Sequence, residues 1–231
     1  MNKLHIPYLS IFFHELKSPL SAIANTAKLI ELSLDKPDVE KIKKYTSLIV
    51  SQAFFLKNYI SNTIQLGRLQ SGKEELIIEE FDVVEILNEI VDITKILIEN
   101  KPIKVKTVLF PNKFIIRSDP VKIKQILLNI ASNSAKFTKE GYILFKFKRL
   151  NNKVLIEIQD TGRGIPKKEM KKIFNPWCSI ESFYEKLCES SGLGLYITKQ
   201  LINLLGGNIA IKSEYGKGTT VHISIPHNSK E

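Results

Sequence analysis

The chain has 231 residues, 43% of them hydrophobic, and a formal net charge of +10. This length accommodates one large domain or two small ones, with enough apolar residues for a core. The lysines are scattered, as in KIKK and PKKEMKK, and no basic run alternates with aromatic residues, so the charge predicts a solvated surface and no nucleic-acid partner.

Two amphipathic helices are predicted first. Apolar residues in the segment 16–30 recur at spacings of three and four, which is typical of one helical face. Pro37 cannot continue that helix, and Asp38 can cap the next one, which runs over about residues 39–69 and ends at Gly72. A lone hairpin cannot bury both apolar faces, so the pattern predicts a homodimer through a four-helix bundle.

From residue 73 the pattern becomes that of an α+β domain. The predicted strands are EELIIEEF, KVKTVLF, KFIIRSD, YILFKFKRL, KVLIEIQD, NIAIKSE and TTVHISI. The predicted helices are VVEILNEIVDITKILIEN, PVKIKQILLNIASNSAKF and GLGLYITKQLINLLGG. Together they predict a mixed sheet covered by helices on one face, and a domain boundary between residues 1–72 and 73–231.

Three motifs in residues 73–231 are candidates for a ligand-binding or catalytic site. In DTGRGIP, Asp160 follows a strand, and Gly162 and Gly164 allow the backbone to pass close to a flat ligand, although this motif alone is more often a plain turn. SGLGLYI opens a helix with glycines, which is typical either of an anion site or of close helix–sheet packing.

The third motif, NIASNSAKF, places two asparagines four residues apart on one helix face. The amide oxygens of Asn129 and Asn133 are ligands that suit Mg²⁺, and Lys136 can reach a phosphate. The alternative is an exposed polar face, which the apolar neighbours of the asparagines partly contradict.

In this order and spacing, the motifs resemble the ATP-binding domain of the GHKL (Bergerat) type, shared by sensor histidine kinases, Hsp90-type chaperones, type II topoisomerases and MutL. QILLNIASNSAKFT resembles the N box, DTGRGIP the G1 box, IFNPW the F box, SGLGL the G2 box and GKGTT the last glycine box. HELKSPLSAI resembles the phospho-acceptor H box of histidine kinases. The chain therefore resembles the catalytic core of a sensor histidine kinase of two-component systems from about residue 9 to 226.

The resemblance implies a set of nucleotide-binding residues. Asp160 would accept a hydrogen bond from the adenine amino group, Phe137 would stack on the base, and Thr219 would support it through water. Asn133 would hold Mg²⁺. The remaining assignments are Gly162, Gly164 and Ile165 around the base, and Asn129, Lys136, Gly192, Leu193 and Gly194 at the phosphates.

The resemblance also makes His14 the phosphoryl acceptor. Imidazole is largely neutral near pH 7, and Glu15 can accept the proton of the second ring nitrogen. Pro19 lacks an amide hydrogen and crowds the Glu15 carbonyl, which predicts a bend in the helix, with a helix start at Pro19 as the alternative. Ser18 stands where the family usually carries the Thr or Asn that orients water for dephosphorylation of the partner.

The implied activity is that of an ATP-dependent protein-histidine kinase. It would phosphorylate its own His14 from Mg-ATP and transfer the phosphoryl group to an aspartate of a separate response regulator, which it could also dephosphorylate. The alternative is a catalytically weak ATP-binding scaffold that docks a regulator. A nucleotide-dependent clamp of the chaperone kind is disfavoured by the H box.

The segment 175–191 matches the mobile lid of the family. Glu189 and Ser190 replace its glycines, and Lys186 stands near the place of its arginine, so the sequence predicts weaker ATP binding or lid closure. Cys178 and Cys188 also fall here, either by chance or as a redox-sensitive pair.

The location is predicted from what the sequence lacks. No apolar run approaches the roughly 20 residues of a membrane span, and the first residues are too polar for a signal peptide. We therefore expect a cytoplasmic chain without membrane contact. Because it opens almost directly into a helix, we expect it to be the cytoplasmic part of a larger sensor protein.

Overall fold

The computed structural model describes residues 6–34, 38–177 and 192–227. The chain forms two compact units that divide between Gly67 and Arg68. The first unit is helical and the second is an α+β unit. The boundary after residue 72, between a part that dimerises and a part that binds nucleotide, stays a prediction. The predictions outside the described residues are those for Pro37, Cys178, Lys186, Cys188, Glu189 and Ser190.

The first unit is the predicted helical hairpin. Helix α1 spans Ile6–Leu32 and continues through Pro19, so a helix start at Pro19 is excluded, while the bend stays a prediction. Helix α2 spans Val39–Gln70. Among the helices in the described residues, none is both long and apolar enough to cross a membrane.

The predicted ends of α2 are confirmed. Asp38 caps its first turn, since its Oδ1 accepts a hydrogen bond from the Lys41 amide at 3.1 Å. At the other end Gly72 has a φ of +65°, and the Lys73 amide donates to the carbonyl of Arg68 at 3.0 Å. This is the glycine-closed helix end that the sequence indicates.

An aromatic cluster joins the two helices of the hairpin. The Phe12 ring of α1 stacks on Tyr59 of α2 with 5.6 Å between centroids, and Phe55 stacks on the same ring at 5.8 Å. Outside this cluster, much apolar surface remains uncovered in the single chain. Large apolar side chains with more than half of their surface exposed include Leu20 (54%), Phe54 (60%) and Ile64 (55%).

The second unit contains seven strands and three helices within the described residues. They are β1 (Glu79–Asp82), α3 (Val83–Leu97), β2 (Ile103–Phe110), β3 (Ile115–Ser118), α4 (Pro120–Phe137), β4 (Gly141–Leu150), β5 (Lys153–Asp160), α5 (Gly194–Leu204), β6 (Asn208–Glu214) and β7 (Gly218–Pro226). The main sheet has the order β2-β4-β5-β7-β6, with β2 and β4 parallel and the other pairs antiparallel. This confirms the predicted mixed sheet.

One strand prediction needs correction. Of EELIIEEF, only the last residues form β1, which pairs with β3 in a separate two-stranded sheet. Residues 73–78 have no regular structure. This short apolar run, Leu76 to Ile78, has no neighbouring strand to pair with, and the Ile77 amide donates instead to the Asp119 carboxylate.

Alternation along the central strands places the core on the helix-covered face. On β5 the residues Val154, Ile156 and Ile158 are buried, and Asp160 continues the same buried row at the strand end. Each fully buried isoleucine stabilises the fold by about 1.5–3 kcal/mol. Because side chains alternate with a period of two, this register fixes which face receives the Asp160 carboxylate.

Asp119 ties an irregular segment to the start of α4. Its Oδ1 accepts the Lys122 amide at 2.9 Å as the helix cap, and its Oδ2 accepts the Ile77 amide at 2.9 Å. A largely buried ion pair between Glu74 and Lys122 joins the same two segments. The helix that carries the N box is therefore held at its first turn by the segment that follows α2.

We expect Asp119→Ala to lower the free energy of unfolding of the second unit by about 2–3 kcal/mol, because two part-buried amides lose their acceptor. Chemical denaturation followed by fluorescence of Trp177, the single tryptophan of the sequence, measures this. Asp92→Ala on α3, an exposed residue, is the control and should change the value by less than about 0.5 kcal/mol. Equal effects of the two variants would contradict the capping role.

Candidate functional site

The centre of the candidate site is the carboxylate of Asp160, at the end of β5 and 7% exposed. Its Oδ1 accepts hydrogen bonds from the amides of Gly162 at 2.9 Å and Thr219 at 3.2 Å. Its Oδ2 accepts one from the Ser134 hydroxyl at 3.0 Å. Three donors from three segments therefore fix the orientation of this acceptor.

Burial raises the pKa of the Asp160 carboxyl above its ordinary value of 3.8, and the hydrogen bonds from Gly162, Ser134 and Thr219 oppose that rise. A raised folded-state pKa means that the folded chain keeps this proton at pH values where the unfolded chain has lost it. The contribution of Asp160 to stability therefore decreases as pH rises from about 3.8 through the folded-state pKa.

The decrease of the Asp160 contribution to stability with rising pH can be measured. The unfolding free energy of the nucleotide-free wild type, minus that of Asp160→Asn, should be larger at acidic pH than at neutral pH, because only the wild type has a buried carboxyl whose ionisation is disfavoured. Unfolding free energies of both proteins, measured by denaturation across this pH range, test it. A difference that grows in favour of the wild type toward neutral pH would contradict the raised pKa.

The two glycines of DTGRGIP are required by close backbone approach. A Cβ on Gly162 would lie 2.7 Å from the carbonyl oxygen of Phe137, and one on Gly164 would lie 2.0 Å from that of Glu214. Gly164 also has a φ of +68°. The loop after β5 is thus pressed between the end of α4 and the hairpin formed by β6 and β7.

A hydroxyl pair connects this loop to β7. The Ile165 amide donates to the Ser213 hydroxyl at 2.8 Å, and the Ser213 and Thr219 hydroxyls lie 2.9 Å apart. The Ser213 hydroxyl is also 2.9 Å from the Gly218 carbonyl oxygen, which can only accept. Ser213 therefore donates to Gly218, and Thr219 donates to Ser213.

Phe137 ends α4 beside the same loop. Its carbonyl accepts a hydrogen bond from the Arg163 amide at 3.2 Å. The Arg163 guanidinium lies 4.5 Å from the centroid of the Phe137 ring, and the Lys136 ammonium lies 5.2 Å from it. The predicted stacking ring is therefore half-buried and has two cations near it.

The N box and the G2 box meet through Asn129. Its Nδ2 donates to the Thr198 hydroxyl of α5 at 2.8 Å. A Cβ on Gly194, the first residue of α5, would lie 2.4 Å from its Oδ1 and would displace the Asn129 side chain. Leu193 caps that helix without a side-chain hydrogen bond, and Gly192 before it has a φ of +63°.

Asn133 differs from Asn129 in its surroundings. Its side chain is partly exposed, and it makes no hydrogen bond with the residues that the structure describes. The same described part of the chain holds no group of three or more His, Cys, Asp or Glu that could bind a metal. A single amide oxygen fits an ion such as Mg²⁺ that keeps most of its ligands as water and phosphate.

In the first unit, His14 lies on the surface of α1 with 80% of its side chain exposed. Its Nδ1 is 3.7 Å from Oε1 of Glu15, which is the range of an ion pair and slightly too long for a hydrogen bond. Burial and then the charge of Glu15 raise the pKa of the Tyr59 hydroxyl. Ser18 is exposed.

The sequence interpretation missed two residues of this network, Ser134 and Ser213. Ser134 had a detectable signal, because it continues the apolar row of Ile123, Leu127 and Ile130 along α4, where a polar residue needs a buried partner. Ser213 had a shorter signal of the same kind, because it follows Ile209 and Ile211 on the less exposed face of β6.

Comparisons with known proteins find similar sequences over the second unit and over most of the chain. Residues 118–229 match the family model described as histidine kinase-, DNA gyrase B-, and HSP90-like ATPase. A hybrid signal transduction histidine kinase B of Dictyostelium discoideum is 29% identical over 97% of the chain, and the autoinducer 2 sensor kinase/phosphatase LuxQ of Vibrio vulnificus is 30% identical over 97%.

Residues 118–229 form an ATP-binding domain of the GHKL type, and the chain along its length is similar to histidine kinases. It spans 12% and 27% of the length of the two relatives above. Among solved structures, histidine kinase ThkA in complex with response regulator protein TrrA matches with a TM-score of 0.74 and 22% identity, over 96% of this chain and 62% of that one. At this identity the match shows the fold, and it confirms a helical region followed by a mixed-sheet ATP-binding domain.

Proposed function

We propose that this chain is the catalytic core of a sensor histidine kinase that phosphorylates its own His14 from Mg-ATP. One observation carries the proposal. The chain combines an exposed histidine beside a carboxylate, His14 and Glu15, with a buried and triply hydrogen-bonded carboxylate acceptor, Asp160. In this proposal residues 1–72 dimerise and carry the acceptor, and residues 73–231 bind the nucleotide.

Asp160 would select the adenine base. Its Oδ2 accepts from the exocyclic amino group, and Phe137 stacks on the ring. Gly162, Gly164 and Ile165 line the pocket. Thr219 has its own hydrogen committed to Ser213, so it offers lone pairs to a bridging water.

The phosphates would be bound where α4 meets α5. The first turn of α5 carries the positive end of the helix dipole and lies next to the glycines of SGLGL, which suits a phosphate at Gly192, Leu193 and Gly194. Lys136 and Asn129 contribute from α4. Asn133 would hold Mg²⁺, which supplies neutralisation of the negative charge that shifts between the phosphates during transfer.

The transfer itself would occur at the imidazole of His14. The Nε2 lone pair forms the new bond to the γ-phosphorus, and the bond from that phosphorus to the bridging oxygen breaks, so ADP leaves with the electron pair. The ring becomes positively charged, and Glu15 on the Nδ1 side stabilises that charge and accepts the Nδ1 proton. Exposure of His14 allows it to meet both a nucleotide and a protein partner.

We infer that the phosphoryl group then passes to an aspartate of a separate response regulator. The name of LuxQ includes both kinase and phosphatase, and ThkA was solved with a response regulator, which supports this partner class. Dephosphorylation of the regulator would use Ser18 to orient water. The uncovered apolar side chains of the hairpin support a homodimer through a four-helix bundle.

The deciding experiment is incorporation of label from γ-labelled ATP with Mg²⁺ into wild type and His14→Gln. We expect acid-labile, base-stable label in the wild type and none in the variant. Nucleotide binding without label would favour the alternative, an ATP-binding scaffold that docks a regulator. Equal label in His14→Gln would remove His14 as the acceptor.

A further inference from the structure

Ser134 is a buried hydroxyl in an otherwise apolar row of α4. It is 3% exposed, and the row also contains Ile123, Leu127 and Ile130. Its Oγ lies 3.0 Å from Oδ2 of Asp160 and donates to it. Since alanine would fill this helical position with better helix propensity and no polar atom to satisfy, the hydroxyl is there for its hydrogen bond.

The hydrogen bond from Ser134 occupies one of the acceptor positions of the Asp160 carboxylate. An ionised carboxylate offers about four lone-pair positions. The amides of Gly162 and Thr219 occupy the two on Oδ1, and Ser134 occupies one on Oδ2. One position on Oδ2 remains, and its direction is set by the three donors.

We propose that Ser134 is a positioning residue that makes the site selective for a 6-aminopurine over a 6-oxopurine. This inference rests on the proposed function, because it assumes that Asp160 contacts the base. With Ser134 in place, the single open position on Oδ2 is an acceptor, which suits the amino group of adenine and repels the carbonyl oxygen of hypoxanthine.

Loss of the hydroxyl would relax this selection in two ways. A second acceptor position opens on Oδ2, so that the N1–H of hypoxanthine gains a partner. The buried carboxyl also loses one of the donors that oppose protonation, and a protonated carboxyl can donate to a 6-oxo oxygen. The charged neighbours Lys136 and Arg163 lie against the Phe137 ring and are not among the groups that shift the Asp160 pKa.

The experiment compares dissociation constants for Mg-ATP and Mg-ITP, which differ at the purine 6-position. In Ser134→Ala we expect ATP to bind about tenfold more weakly and the preference for ATP over ITP to fall about tenfold. Ser134→Cys keeps the side-chain volume with a much weaker donor. We expect it to behave like the alanine variant if the hydrogen bond matters, and like the wild type if only packing does.

Ser132→Ala is the matched control, because its hydroxyl bonds the Asn129 carbonyl on the same helix and not Asp160. It should keep the wild-type ATP-to-ITP preference. An unchanged preference in Ser134→Ala, or a wild-type preference in Ser134→Cys, overturns the inference while leaving the proposed function intact. A wild type that binds neither nucleotide overturns the proposed function, and the inference with it.

Discussion

Asp160→Asn is expected to weaken ATP binding by at least about 100-fold. The amides of Gly162 and Thr219 both need an acceptor, so the carboxamide oxygen takes the place of Oδ1. The NH₂ group then takes the place of Oδ2. The Ser134 hydroxyl can rotate and accept from it, but the amino group of adenine meets a donor where it needs an acceptor.

Calorimetric titration of the nucleotide-free protein with Mg-ATP measures this loss, and the label on His14 should disappear with it. Asp92→Asn, an exposed change of the same chemistry on α3, is the control and should bind ATP as the wild type does. Thermal unfolding verifies that Asp160→Asn is folded. An affinity within about threefold of the wild type would show that Asp160 does not contact the base.

Gly218→Ala has the largest expected effect on stability. Gly218 begins β7 with a φ of +116°, and a Cβ there would lie 2.0 Å from the carbonyl oxygen of Asp160. Strain in the backbone and displacement of the neighbouring strand should together cost about 3 kcal/mol or more. Because the displaced atom belongs to Asp160, ATP binding should be lost as well.

Gly216→Ala separates the effect of backbone strain from the effect of the contact with Asp160. Gly216 also has a positive φ, of +83°, but a Cβ there has nothing within 4 Å. It should therefore cost only about 1–2 kcal/mol from backbone strain and leave ATP binding unchanged. Denaturation of both variants, followed by Trp177 fluorescence, gives the comparison. Equal losses would mean that the contact with Asp160 is unimportant.

The elements that the sequence predicted best are those whose signals are local. The helix that begins at Pro120 and the turn at Asn151–Asn152 between β4 and β5 are confirmed with little change of boundary. The sequence failed at EELIIEEF, where a short apolar run indicated a strand over the whole segment. Strand formation requires a partner, and only the tertiary structure shows that residues 73–78 have none and bond to Asp119 instead.

The sequence by itself determined the fold class, the order of the motifs and which residues were candidates for the site. These depend on periodicity, on capping residues and on glycines, all of which act within a few residues along the chain. The roles of those candidates, from His14 to Thr219, remain predictions for the experiments above.

Only the tertiary structure decided how the candidates are connected. Ser134 and Thr219 both bond Asp160 from separate segments, and Asn129 is joined to α5 through Thr198 and Gly194. These contacts link residues far apart in the chain through single hydrogen bonds. The periodicity of a sequence does not predict such bonds, because each depends on the direction of one side chain in the packed core.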